Sequence, residues 1–335
     1  AVERVAWEPS GKEIRIWNSG QTWPLFDLGT ESVAHYGFPY MMFHRADMQD
    51  LLAAAVCVVK PDAIHLNARC VGLDQDGAGV TLNFEDGTRA RGDVAIGADG
   101  IHSAIRQSLF GADEPRFTGI MAWRGVIDVN DLPDGMLRPI GTNWVGPGGH
   151  VVHYFLRRGA LVNFFGARER DDWQVESYSA VGTVEECLAD YVGWHDNIQT
   201  LIKNIKRPLK WALMDREPMD KWSLGRATLL GDACHPMLPF LAQGAVMAIE
   251  DGLIIARCLD AHDDPESAVA AYEAVRIERT AQAMQGSSDN AKRFHNNSLA
   301  DPEAAQKFVD GQWDTELIKQ RYDWLFTYDA TTVAV

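Results

Sequence analysis

The segment Ala227-Thr-Leu-Leu-Gly231-Asp232-Ala-Cys-His235-Pro236-Met-Leu-Pro239 constrains the fold more than any other part of the chain. An apolar strand runs into Gly-Asp, breaks at two prolines and restarts as a helix at Gln243-Gly244-Ala245. A strand-to-helix crossing of this kind sets a carboxylate and free backbone N–H groups at the carboxyl edge of a sheet, where α/β proteins bind nucleotides. A second crossing lies at Val94-Ala-Ile-Gly97-Ala-Asp99-Gly100-Ile-His-Ser103-Ala-Ile-Arg106. Read without the first, it leaves room for a structural alternative, a helix start with Ser103 near its N-terminus and Arg106 as a surface charge.

The 335 residues suffice for two domains, and the 46% hydrophobic and 23% charged content is that of a globular enzyme. A formal charge of −16 argues against nucleic acid and anionic membranes as partners, while leaving a small anionic substrate open to a local Arg or His. Five cysteines (Cys57, Cys70, Cys187, Cys234, Cys258) without CxxC spacing suit a reducing cytoplasm and no zinc site. No run reaches the length of a transmembrane helix, and the start does not read as a signal peptide.

Residues 1–40 read as strands, the opening Ala1–Glu8 included. Between Phe43 and Val58 the period becomes helical, with Met48, Leu51, Leu52, Ala55 and Val56 on one face. Strands return over 62–90, with hairpin turns at Asp74-Gln-Asp-Gly77 and Glu85-Asp-Gly87. Residues 117–211 are strand-like and aromatic, interrupted at 183–206 by a helical pattern of Val184, Cys187, Leu188, Tyr191, Ile198, Leu201 and Ile202. Helices follow from Gln243 to about residue 295 and again toward the C-terminus. The expected fold is mixed α/β: a Rossmann-like nucleotide-binding domain (41–113 and 215–285) interleaved with an antiparallel-sheet domain (1–40 and 114–214), then a helical segment (286–335).

GADGIHSAIR and LLGDACHPMLPFLAQGAVMAIEDG resemble the DG and GD motifs of the single-component FAD-dependent aromatic hydroxylases, the para-hydroxybenzoate hydroxylase group. His44-Arg45-Ala-Asp47-Met48 looks like that family's HR-x-D-L segment, and Trp211–Pro218 resembles the stretch ahead of its GD motif. The resemblance implies that Asp232, with Gly231, binds the ribityl or pyrophosphate region of FAD, and that Arg45 touches FAD. It implies that Asp99, Gly100 and Arg106 engage FAD and NAD(P)H, that Pro239 lies against the isoalloxazine, and that Gly244 and Ala245 face its pyrimidine edge. His235 is read as loop structure and His102 as solvent-facing.

For substrate chemistry the candidates are His150 and Tyr154 in Gly146-Pro-Gly-Gly-His150-Val-Val-His153-Tyr154. On a strand, positions 150, 152 and 154 share one face and His153 takes the other, which also argues against a two-histidine metal site. The pair is similar to the His and Tyr that contact the ring hydroxyl in hydroxynicotinate hydroxylases, and a near-neutral His can remove a phenolic proton. Phe240, with Pro239, is the expected apolar wall of the substrate pocket and leaves the ring position of attack open.

What the resemblance implies is a monooxygenase that consumes NADH or NADPH and O₂ to hydroxylate a hydroxylated aromatic or pyridine carboxylate through a flavin C4a-hydroperoxide. A homodimer in the cytoplasm is the expected assembly. The alternatives are a flavoprotein monooxygenase of a larger polycyclic substrate and a truncated binding paralogue. The family's GxGxxG unit, with an acidic residue roughly 20 positions on, does not occur in this sequence, where Asp27-Leu28-Gly29-Thr30 offers one glycine. The expectation is therefore that the sequence is a segment of a longer protein.

Overall fold

The structure, a computed structural model, describes residues 2–170, 172 and 180–335. Its strands are β1 (Gly11–Ile16), β2 (Thr22–Asp27), β3 (Cys70–Asp76), β4 (Gly79–Phe84), β5 (Arg89–Gly92), β6 (Ala95–Gly97), β7 (Arg116–Asp128), β8 (Gly141–Gly146), β9 (Gly149–Leu156), β10 (Leu161–Glu169), β11 (Leu209–Asp215) and β12 (Ala227–Leu229). Its helices are α1 (Thr30–Tyr36), α2 (Arg45–Val59), α3 (Ala104–Phe110), α4 (Val184–Asp190), α5 (Asp196–Lys203), α6 (Gly244–Ala261), α7 (Pro265–Phe294), α8 (Pro302–Gln312) and α9 (Thr315–Phe326). The chain divides into two units: residues 1–64, 119–213 and 292–327, and residues 65–118, 214–291 and 328–335.

The first unit is built on a sheet in the order β11-β7-β10-β9-β8-β1-β2. β8, β9 and β10 are antiparallel neighbours, whereas β1 runs parallel to β8. One sheet face carries Trp123, Trp144, Val151, Val162 and Phe164 into a core closed by Cys187 and Tyr191 at α4 and by Ile198, Leu201 and Ile202 of α5. These are the apolar positions of the 183–206 pattern. A capping box between Thr183 and Glu186 starts α4, and the His195 side chain accepts the Asn197 N–H to start α5. Trp123 donates its indole N–H to Asp190 at 2.7 Å, so this aromatic is buried with its polar atom satisfied.

Two local expectations are corrected. Val2–Arg4 is a single 3-10 turn and Thr30–Tyr36 a helix, within the stretch read as strands. The apolar stripe of α2 forms on a helix as expected, but none of its residues is buried, and Leu52 and Val56 remain at the surface.

In the second unit β12 and β6 pair in parallel, Leu229 opposite Gly97. Ile105 of α3, Ile254, Ile255 and Cys258 of α6, and Val269 and Tyr272 of α7 pack with Leu229 and Trp222 into a second core. Tyr272 donates its hydroxyl to the Leu229 carbonyl at 3.1 Å and so fixes the end of β12. The hairpins expected at Gly77 and Gly87 join β3, β4 and β5 into a separate antiparallel sheet.

Candidate active site

In the second unit the chain leaves β12 and turns at Gly231, whose φ of +63° favours glycine. A buried charge cluster holds this turn. Asp251 of α6 accepts the Gly231 N–H at 3.1 Å, pairs with His235 Nε2 at 2.6 Å through the same oxygen, and takes Arg276 Nε on the other at 2.7 Å. Burial alone would raise the Asp251 carboxyl; the hydrogen bonds and electrostatic interactions with His235 and Arg276 outweigh it and hold it below the usual range. His235 is thus a loop fastener, in keeping with its sequence reading.

The other motif is tied to this loop. Arg106 donates to the Ala233 carbonyl at 3.3 Å and forks onto Asp113 at 3.2 and 2.6 Å. Its side chain is buried rather than a surface charge, and it ties α3 to the loop after β12. Asp99 is likewise engaged at home: its oxygens accept Ser103 Oγ–H and, at 3.2 Å, the Ile105 N–H, fixing the start of α3 after the turn at Gly100 (φ +81°). His102 is exposed.

The groups this scaffold presents outward are others. Asp232 and Pro239 are exposed, and among the described residues the Asp232 carboxylate has no hydrogen-bond or ion-pair partner. Ala242 adopts φ +57° immediately before α6, a strained conformation of the kind that clusters at ligand sites. Gln243 provides no side-chain cap, which leaves the first-turn N–H groups at Gly244 and Ala245 for a ligand or solvent. An 18-residue helix with an open N-terminus attracts partial negative charge. An exposed carboxylate beside an uncapped helix start suits the hydroxyls and electron-rich ring edge of a flavin nucleotide. Phe240 is buried, its N–H donating to Ser287 Oγ at 3.3 Å and its carbonyl accepting Asn290 Nδ2 at 3.0 Å.

In the first unit β9 alternates as its sequence demands. Val151 faces the α4/α5 core, where His153 Nε2 accepts the Trp144 indole N–H at 3.0 Å. Burial and the nearby Arg15 charge push the His153 imidazole down to about 3, so it stays neutral. His150, Val152 and Tyr154 take the opposite face. His150, 1% exposed, lies among Phe165, Phe294 and His295 at ring separations of 5.7, 5.2 and 5.0 Å. Its Nδ1 is 2.7 Å from His295 Nε2, and His295 Nδ1 is 3.1 Å from Glu169 Oε1. Burial, and then its electrostatic interaction with His295, lower the His150 pKa well below that of free histidine, against the near-neutral value expected from the sequence.

Tyr154 lies opposite Asn163 of β10. Burial and Tyr40 push its phenol up to about 12, against the opposing charge of Arg45. Lys12 donates to the Tyr40 hydroxyl at 2.9 Å. Arg45 opens α2 exposed, and Arg157 braces that turn by a two-pronged contact to Asp47 at 2.6 and 2.7 Å. Phe165 and Trp211 meet edge to face at 6.0 Å, with the Arg124 guanidinium 5.0 Å from the Trp211 ring. Asn143, opposite Val152, has a buried Oδ1 without a hydrogen-bond partner among the described residues. Sequence reasoning missed His295, Glu169 and Asn143. His295 sits just past α7 in Phe294-His-Asn-Asn297, where no periodicity distinguishes it from a helix-terminating turn.

Residues 39–287 match the family model described as FAD binding domain. Over 334 residues the chain is 37% identical to a 3-amino-4-hydroxybenzoate 2-monooxygenase of Streptomyces platensis, covering 99% of this chain and 82% of that protein. It is also 37% identical over 283 residues to a 6-hydroxynicotinate 3-monooxygenase of Pseudomonas fluorescens, covering 82% of this chain and 72% of the relative. A salicylate hydroxylase solved as a substrate complex superposes with a TM-score of 0.81 at 26% identity, over 98% of this chain and 83% of the other. The chain belongs to the FAD-dependent aromatic monooxygenases, an enzyme family. Among the described residues no helix is long and apolar enough to cross a membrane.

Proposed function

We propose that the protein uses FAD, NAD(P)H and O₂ to hydroxylate a hydroxylated aromatic or pyridine carboxylate, with His150 as the base for the ring hydroxyl. The observation that carries the reading is the state of His150: buried, neutral, and hydrogen-bonded through Nδ1 to a second imidazole. With Nδ1 bearing the proton, Nε2 is the basic nitrogen. Removing the hydroxyl proton makes the ring electron-rich, which is what electrophilic oxygen transfer requires. Tyr154 remains a protonated donor that steadies the ring oxygen, and Phe165 and Trp211 provide apolar surface for the ring.

FAD, when bound, supplies the activation of O₂ at the expense of the nicotinamide. Asp232, Gly231, Gly244, Ala245 and Pro239 are the residues we assign to it, with Arg45 as a further contact; Asp99, Gly100 and Arg106 hold the loops in place. In this reading the first unit carries the substrate and the second the flavin. The relatives named for 3-amino-4-hydroxybenzoate and 6-hydroxynicotinate support a small ring bearing both hydroxyl and carboxylate. Free thiols at all five cysteines support a reducing, cytoplasmic setting, and a homodimer is the assembly we assign.

The test is substrate-stimulated NADH and NADPH oxidation by the FAD-loaded protein over aminohydroxybenzoates, hydroxybenzoates and hydroxynicotinates, with products identified by mass. A hydroxylated product from one such acid is the expected result. No stimulation by any of them sinks the reading.

A further inference from the structure

Strand β8 alternates as β9 does. Trp144 packs into the α4/α5 core, so Asn143 beside it takes the other sheet face, with its β9 partner Val152 and with Tyr154. Its neighbours on the two flanking strands are aliphatic, Ile14 of β1 and Val152 of β9. Along β8 itself, Gly141 and Val145 share the face. None of these four has a side-chain hydrogen-bonding group. The Asn143 Oδ1 is buried and has no hydrogen-bond partner among the described residues. An acceptor so placed forgoes its hydration with no return from the fold, and an aliphatic residue would serve the strand as well.

We propose that Asn143 is a specificity-determining residue: its amide oxygen accepts an N–H from an amino group beside the ring hydroxyl, which makes the substrate an aminohydroxybenzoate. The assignment deepens the reading of this sheet face as the substrate face and rests on it. Val152, the partner of Asn143, stands two residues before Tyr154 on β9. Asn143 and Tyr154 are therefore diagonal neighbours across the two strands, about 7–8 Å apart. Side chains of that length, reaching inward from such positions, meet adjacent substituents of one ring, Tyr154 on the oxygen and Asn143 on its neighbour. No hydrogen bond holds the amide, and its terminal torsion is broad, so Oδ1 turns toward the ring at little cost.

The polarity of the contact follows from what each acid has to offer. A carboxylate only accepts hydrogen bonds, and so does a ring oxygen once it has ionised. A plain hydroxybenzoate in that state has no donor for Oδ1. A hydroxypyridine acid gives up its one exchangeable ring proton in the same ionisation. An aromatic amino group keeps its N–H bonds throughout. A site built to pair a substrate N–H also rejects the analogue that lacks it, because the protein acceptor is then left unpaired.

The experiment measures dissociation constants of 3-amino-4-hydroxybenzoate, 4-hydroxybenzoate and 6-hydroxynicotinate for the FAD-loaded protein, from the perturbation of the flavin spectrum. The first two differ by the amino group alone. Wild type is expected to bind the aminated ring about tenfold or more tighter than either other acid. Asn143→Leu, similar in size, should abolish that preference by weakening the aminated ring while leaving 4-hydroxybenzoate unchanged. Asn143→Asp keeps an acceptor and should keep the preference. Asn143→Ala replaces the leucine variant if that one fails to fold. A merely structural asparagine moves all three acids together, so an unchanged ratio in Asn143→Leu or Asn143→Ala overturns the assignment. A wild type that binds either other acid as tightly as the aminated ring overturns it too, and leaves the hydroxy-acid reading in place. Binding of none of the three removes that reading, and the assignment with it.

Discussion

Asp251 and Arg276 form an ion pair closed to water on both sides: Arg276 Nε lies 2.7 Å from Asp251 Oδ1, and neither side chain exposes any surface. Such pairs contribute little net stability when intact, because desolvation offsets the attraction, but removing one partner strands the other. Here the pair has a second task. The remaining oxygen of Asp251 holds Gly231 and His235, so the loop that carries Asp232 inherits its geometry from the pair.

Asp251→Asn should therefore cost about 3 kcal/mol or more and release FAD, read by urea unfolding and by flavin fluorescence. The Asp251 carboxyl is depressed in the folded state, so its contribution is complete above the unfolded carboxylate pKa and fades as pH falls through the folded value. Acid unfolding should accordingly begin at a higher pH in wild type than in a variant lacking that titration, once the two are matched for stability at neutral pH.

The buried histidines predict a separate and earlier acid sensitivity. His153 is lowered to about 3 and His150 is lowered too, whereas unfolded histidine titrates near 6.5. Below about pH 6.5 the unfolded chain binds protons that the folded chain refuses, so stability falls as pH drops, by up to ~1.4 kcal/mol per pH unit for each histidine. Unfolding free energies at pH 7, 6 and 5 should show this slope, and His153→Gln should remove about one histidine's share.

Tyr154→Phe isolates donation from proton transfer. With its phenol pushed up to about 12, Tyr154 does not titrate in the working range. Loss of a hydrogen bond to a charged ring oxygen costs about 1.5–3 kcal/mol, roughly ten- to a hundredfold in kcat/KM. The pH profile should keep its shape. A moved limb would show that the tyrosine itself ionises.

Arg106 and Asp232 should separate scaffold from contact. Arg106→Gln breaks the Asp113 and Ala233 anchors and should lower the melting temperature by roughly 5 °C or more. Asp232→Asn touches no internal partner among the described residues and should leave melting unchanged while weakening FAD about tenfold. Differential scanning fluorimetry beside FAD titration measures both.

Much of this architecture is legible because its signals are local. Gly-Asp followed by two prolines marks the crossing at 227–245, and the apolar spacing at 183–206 marks α4 and α5. Alternation along β9 separates His150 from His153 without any structure. Other features have no local signature. The hydrogen-bond partners of His150 and His295 lie 145 and 126 residues away in sequence, and only packing brings them together. An acidic residue after a strand is the same letter whether its oxygens cap the following helix, as at Asp99, or lie exposed, as at Asp232, and only the structure separates the two. Three residues such as Val2–Arg4 are too few for any period, so their turn was invisible.

The two-sidedness of β9 has an evolutionary consequence. Positions 151 and 153 belong to the α4/α5 core and resist change, whereas 152 and 154, with Asn143, Asn163 and Phe165 of the neighbouring strands, contribute to the other face. Substitutions on that second face can accumulate without repacking the layer that keeps the sheet folded. Under the proposed function, selection for a new ring acts on a few alternating sites of one strand while the core on its other face stays in place.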